Sequence, residues 1–259
     1  MKPEKRKTSH FAYIIFKIVR GLVRLFYGKV TLVGAENMPD QDAIFVGNHT
    51  QMNGPIVGEL FFPDTCYTWC AGEMMHCKDV PRYAYADFWS QKPAWCRPFY
   101  KAVSYLIAPL CYCIFNNART IGVYRDMRIV STFRETVTYL SDRKTILIFP
   151  EKAEPDNNIV YQFQENFVDV ARLYYKKTGK ELTFVPLYIA PALHKVFIGK
   201  GIAFDAQNEI TAERARICAA LSASITETAR SLPKHKVVPY LNLPKKRYLT
   251  NKDIGEVPQ

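Results

Sequence analysis

The stretch Ala43 to Leu60, AIFVGNHTQMNGPIVGEL, constrains this chain more than any other. A β-branched and aromatic run stops at Gly47-Asn48, and Asn53-Gly54-Pro55 carries the signals of a helix start. The pattern predicts a buried strand, a short polar loop and a helix, with His49 held at the strand end. A histidine there can act as a base or simply hydrogen-bond its own loop, and this stretch alone supports both readings.

The same alternation recurs along the chain. Lys29 to Val33, Thr65 to Trp69, Arg119 to Tyr124, Thr145 to Phe149, Phe184 to Ala190 and Lys195 to Gly199 read as further strands. Pro55 to Phe62, Tyr100 to Phe115, Met127 to Leu140, part of Asn158 to Lys177 and Thr211 to Arg230 read as helices, with Gly179 as a C-cap. Strands alternating with helices predict an α/β fold with a mostly parallel central sheet flanked by helices. At 259 residues and 48% hydrophobic content the chain can bury one large core. The expected division is a basic amphipathic helix at 1–28, an α/β domain at 29–232, and a polar, loosely held tail at 233–259. Gly72 to Lys101 is aromatic and without period. It predicts either an exposed contact for an acyl chain or bilayer, or rings packed under a lid.

In the N-terminal helix Phe11, Ile14, Ile15, Ile18, Val19, Leu22, Val23 and Phe26 recur at steps of three and four, with Lys17, Arg20 and Arg24 on the polar side. Such a helix either lies in the headgroup region of an anionic membrane or docks on the core with a solvated basic face. The formal net charge of +11 calls for an anionic partner. No nucleic-acid-binding module is recognisable, which disfavours DNA or RNA. The longest uncharged run, Ala102 to Ala118, holds Pro109, Asn116 and Asn117 and is shorter than the ~20 residues of a span, so no transmembrane helix is expected. Lys17, Arg20 and Arg24 also break the N-terminal apolar run, which lacks a small-residue cleavage site and does not read as a secretory signal. Seven cysteines in a chain this long suit reduced thiols in a cytosolic setting. Cys66, Cys70, His76 and Cys77 do not repeat a paired zinc knuckle, and no metal is expected. P-loop, dinucleotide-glycine and nucleophile-elbow motifs are missing from the sequence.

Four blocks stand in order: VGNHTQMNGP, RTIGVYR, IFPEKAE and FVPLYIAP, preceded by VTLVGAENMP and followed by KVFIGKGIAFD. Together, over roughly Gly21 to Ala229, they resemble the glycerophospholipid acyltransferase superfamily, which includes glycerol-3-phosphate and lysophosphatidic acid acyltransferases. The resemblance implies transfer of an acyl group from acyl-CoA or acyl carrier protein to a hydroxyl of a glycerophosphate-like or lysophospholipid acceptor. The thioester is consumed, so no cofactor is implied. With the basic helix, the resemblance implies peripheral attachment to the cytoplasmic side of a phospholipid membrane.

Residue by residue, Asn48 and His49 match the family's Asn-His, and His49 is implied as the base. The aspartate that orients this histidine in the family falls on Gly54. Asn53, through its side-chain oxygen, is the first candidate to replace it, with Glu59, Asp64 and Glu73 as others. Arg125 matches the arginine that contacts the acceptor phosphate, and Arg119 stands beside it in place of the block's usual glycine. Glu151 matches the acceptor-binding glutamate of the third block. That block continues Lys152-Ala153-Glu154 where the family has Gly-Thr-Arg, leaving Lys152 as the substitute cation and Glu154 with reversed charge. Losing an orienting acid costs up to about 10⁴ in rate in a serine-protease triad. A non-catalytic lipid- or partner-binding protein on the same scaffold is therefore the alternative.

Overall fold

The computed structural model describes residues 8–39, 42–90, 92–152, 159–160 and 162–253. Its centre is an eight-stranded sheet ordered β1 (Thr31–Val33), β7 (Lys195–Ile198), β6 (Thr183–Ala190), β2 (Ala43–Gly47), β5 (Thr145–Ile148), β3 (Cys66–Ala71) and β4 (Thr120–Val123), with β8 (Ile202–Ala203) pairing with β6. β6, β2, β5, β3 and β4 run parallel to one another, while β7 and β8 pair antiparallel to β6. The expected α/β class with a mostly parallel sheet is what the chain adopts.

β2 shows why. All five of its residues are buried, because helices cover both faces of the sheet. Alternate side chains go to opposite layers. Ile44 and Val46 join a core built with α5 (Ile129–Ser141), α6 (Asp169–Thr178) and α7 (Ile210–Ser231), where Leu140, Val170 and Leu221 are fully enclosed. Ala43 and Phe45 join the opposite layer with Val57 of α2 (Asn53–Phe61). Each such aliphatic or aromatic side chain contributes about 1.5–3 kcal/mol by leaving water. Predicted and observed elements agree within a few residues except at α6, which begins only at Asp169. The start of the expected Asn158 to Lys177 helix falls partly outside the described residues.

Four expectations are corrected or resolved. The helix α1 (His10–Tyr27) forms as predicted, yet of its residues only Phe16 is buried. Phe16, Val19 and Val23 line an apolar cavity of 300 Å³ that the helix shares with α2 and with the helix Arg97–Asn117, and Phe11, Ile14, Ile18, Leu22, Leu25 and Phe26 are turned outward. Arg20 is not on a solvated face, because its Nε donates to Glu59 Oε1 at 2.8 Å and its Nη2 to the Glu59 carbonyl. The helix α4 (Arg97–Asn117) with the preceding turn, Ala94–Asn117, is long and apolar enough to cross a membrane by length and composition, contrary to the expectation from the uncharged run. It is packed along α1 and α3 (Val80–Ala84). The aromatic region divides between the two readings: Met74, Val80 and Ala84 form a small core on α4 with Phe88 and Trp89, while Trp95 and Phe99 stay exposed.

The fourth correction is the tail. Residues 233–253 are tied down by buried polar contacts. The Asn251 side chain donates to the Ala229 carbonyl at 2.7 Å and accepts from the His235 backbone at 2.9 Å. His235 Nε2 meets the Tyr188 hydroxyl at 2.8 Å, and Val237 is buried. The segment then crosses the carboxyl edge of the sheet, with Asn242 donating to the Asp87 carbonyl.

Candidate functional site

β2, β5, β3 and β4 are successive parallel neighbours, so the residues that follow them open onto one edge of the sheet, where α/β proteins hold ligands. His49 follows β2, Phe149 follows β5, Glu73 follows β3 and Arg125 follows β4, and all four line one cavity of 410 Å³. Its remaining walls are largely aromatic, Tyr83, Tyr124 and Tyr240 among them.

The end of β2 is fixed by Asn48. Its side-chain amide donates to the Ile189 carbonyl at 3.0 Å and accepts from the Ile189 N–H at 2.7 Å, extending the β2–β6 ladder by one residue. The chain then turns sharply. Thr50 and Gln51 have φ of 48° and 55°, left-handed conformations that cost of order 1–3 kcal/mol each. A β-branched threonine there is unusual, and its buried Oγ1 has no hydrogen-bond partner among the described residues. The C-terminal segment holds this turn: Gln51 Nε2 donates to the Leu241 carbonyl and the Tyr248 hydroxyl, both at 2.9 Å.

The His49 ring lies edge-on between Phe149, 5.5 Å away, and Tyr240, 4.6 Å away. Burial pushes its pKa down to about 4, partly offset by the backbone of Gln51, so the imidazole is neutral at physiological pH. Its Nδ1 is buried and has no side-chain partner among the described residues; the Gln51 backbone is the polar group that acts on the ring.

Asn53 does not supply the expected partner. Its Oδ1 accepts from the Tyr27 hydroxyl at 3.0 Å and its Nδ2 donates to the Thr50 carbonyl at 2.8 Å. Glu59 and Asp64 are held by Arg119 on the far side of α2, and Glu73 lines the cavity without bonding to the ring. Nor is there space for an acid on Gly54. A Cβ there would lie 2.6 Å from the His49 carbonyl oxygen and 2.8 Å from the Phe149 ring. The Phe149 ring and the His49 carbonyl fill the space that a side chain at position 54 would take.

Glu151 is buried, and its Oε2 accepts the His49 backbone N–H at 2.5 Å. Burial pushes its pKa up to about 8, against the opposing effect of that N–H. It is not on the cavity wall, which corrects the expectation of an acceptor-binding carboxylate: it fastens β5 to the histidine loop. Arg119 is also turned away. Its guanidinium bonds Asp64 Oδ1 at 2.7 Å, the Pro63 carbonyl at 2.8 Å and the Glu59 carbonyl, anchoring the start of β4. Lys152 is exposed, outside the cavity, and donates to Gln162 Oε1 at 3.2 Å. Glu154 lies outside the described residues. Of the four expected substrate-binding residues, Arg125 alone faces the cavity.

Sequence reasoning missed Phe149 and Tyr240 as the frame of the histidine and Gln51 as the tether of its turn. The only available signal was the aromatic flank of the third block. Nothing in VVPYLNLP points nearly 200 residues back to His49.

The fold and cavity define an α/β protein whose candidate site sits at the carboxyl edge of a parallel sheet, in a cavity lined by a neutral histidine and an arginine. No family model matches the chain, and no curated protein matches it. Among solved structures it is similar to the 1-acyl-sn-glycerophosphate (LPA) acyltransferase PlsC from Thermotoga maritima, at 18% identity, covering 84% of this chain and 78% of that one, with a TM-score of 0.47.

Proposed function

We propose that this protein transfers an acyl group from a thioester, acyl-CoA or acyl carrier protein, to a hydroxyl of a phosphate-bearing glycerolipid-like acceptor. The observation that carries this reading is the presence of neutral His49 and Arg125 on one aromatic-walled cavity. Arg125 offers a planar pair of donors to a phosphate. His49 takes the hydroxyl proton as the oxygen adds to the thioester carbonyl. The carbon–sulfur bond then breaks, and the leaving thiolate departs with that proton. Packing between Phe149 and Tyr240 orients the ring, with the Gln51 backbone beside it. General-base catalysis is typically worth about 10²–10⁴, and an unassisted imidazole with a lowered pKa delivers the low end of it. No metal or cofactor enters this chemistry.

The protein is proposed to work as a peripheral protein on the cytoplasmic, anionic face of a phospholipid membrane. The support is the outward apolar stripe of α1, the exposed Tyr105 and Leu106 of α4, and the cations Lys17, Arg24 and Lys101 carried by the same two helices.

A second reading, a lipid-binding protein without turnover, is favoured by an Nδ1 with no side-chain partner among the described residues and by the filled space at position 54. Acyl transfer by wild type and His49→Ala separates the two. A rate at least tenfold lower in the variant is expected for the enzyme. Equal rates, with lipid still retained by mass spectrometry, establish the binder.

A further inference from the structure

We propose that Tyr27, the last residue of α1, is a positioning residue for His49: its hydroxyl holds Asn53, and Asn53 holds the strained turn that carries the histidine. The role given to the histidine rests on the acyl-transfer reading, whereas the tether does not.

The turn needs holding. Thr50 and Gln51 both lie in the left-handed region, at φ of 48° and 55°, and residues placed there persist only where their surroundings fix them. On one side the Gln51 side chain is tied to Leu241 and Tyr248. On the other, the Thr50 carbonyl accepts from the Asn53 backbone N–H at 3.0 Å and from Asn53 Nδ2 at 2.8 Å. The next amide, that of Gly54, donates to the His49 carbonyl at 3.2 Å. The backbone of the histidine therefore follows the placement of Asn53.

The Asn53 side chain is in turn oriented from α1. A carboxamide that donates through Nδ2 still has Oδ1 free to accept, and Oδ1 takes the Tyr27 hydroxyl at 3.0 Å. Burial pushes the Tyr27 pKa up to about 12, so the hydroxyl keeps its proton and donates. The ring is seated against Phe61, 6.0 Å away, at the far end of α2. Arg20 ties α1 to Glu59, further along α2 and away from the turn. Tyr27 does not line the cavity, so it bears on the histidine through Asn53.

The test is amide hydrogen exchange read residue by residue in Tyr27→Phe, which keeps the ring and removes only the hydroxyl. Exchange at Asn53 and Gly54 should rise about tenfold, the ratio that one neutral hydrogen bond supports, while the β2 amides from Ile44 to Gly47 keep their protection. Asn53→Ala should release Gly54 in the same way, and adding Tyr27→Phe to it should change nothing further. Phe26→Asp, exposed on the same turn of α1, should leave both amides as they are. In acyl transfer Tyr27→Phe should lower kcat and leave the acceptor KM unchanged. Unchanged exchange in Tyr27→Phe, acceleration that spreads through β2, equal acceleration in Phe26→Asp, or a KM effect without a kcat effect overturns the positioning role. Local acceleration in a protein whose wild type transfers no acyl group upholds the tether and removes the acyl-transfer reading instead.

Discussion

The backbone N–H of His49 donates to the Glu151 carboxyl group, joining the end of β2 to the end of β5. The contact makes the third sequence block a brace for the first. The acid contributes to the position of the histidine backbone, while the ring is left to be held by packing.

The brace has a pH signature. Glu151 has an ordinary pKa of 4.5 and a folded value of about 8. Between these values the unfolded chain gives up a proton that the folded chain keeps, so this group makes stability fall as pH rises. His49 works oppositely and lower, with an ordinary value of 6.5 and a folded value of about 4. Its contribution is fully present above 6.5 and is lost as pH falls toward 4. Glu151→Gln should therefore flatten the decline in the urea midpoint between about pH 5 and pH 8. An unchanged slope would show that the carboxyl is ionised throughout.

On the proposed acyl-transfer reading, an aspartate placed at Gly54 should not raise the rate. Its Cβ would overlap the His49 carbonyl and the Phe149 ring. Overpacking of this kind costs about 1–3 kcal/mol. Gly54→Asp and Gly54→Ala should both melt lower, by ~2–4 °C per kcal/mol at this chain length. A stable Gly54→Asp with raised acyl transfer would contradict the packing described.

Arg119 and Arg125 should separate cleanly by readout. Arg119→Ala strips partners from half-enclosed Glu59 and from two backbone carbonyls, a loss of about 1–3 kcal/mol in stability. Its acceptor KM should stay near wild type. Arg125→Ala should raise that KM at least tenfold and leave the melting temperature within a few degrees. The reverse pattern would mean that Arg119 reaches the acceptor.

The apolar stripe on α1 should be needed for vesicle binding. Phe26 is 84% exposed and Leu25 74%, so Phe26→Asp and Leu25→Asp disturb no core. Burying such a side chain is worth about 1.5–3 kcal/mol, and each change should weaken binding to anionic vesicles at least tenfold. Removing residues 1 to 28 should do the same. Undiminished co-sedimentation of the point variants would assign the stripe to another partner.

Much of this protein was readable from local order. The periodicity of residues 10–27, the unbroken apolar run of β2 and the Gly179 cap each depend on neighbours within a few positions, and each formed as the pattern predicted. The alternation of strands and helices was enough for the α/β class, and the blocks placed His49 and Arg125 at strand ends. The errors came where a side chain had a choice of partners. Arg20 and Arg119 read as free cations, yet both converge on Glu59, a residue separated from them by 39 and 60 positions. Asn53 read as a partner for His49, yet Tyr27 and Thr50 take its polar atoms.

The sequence by itself determined which segments are strands, which are helices, and that a histidine and an arginine would stand at the ends of two of them. Tertiary structure alone decided what surrounds that histidine. Periodicity encodes which face of an element is apolar, because that depends on spacing along one chain segment. The identity of the group facing a buried nitrogen depends on which distant segments meet there. At His49 those segments bring Phe149 and Tyr240, two rings and no acid.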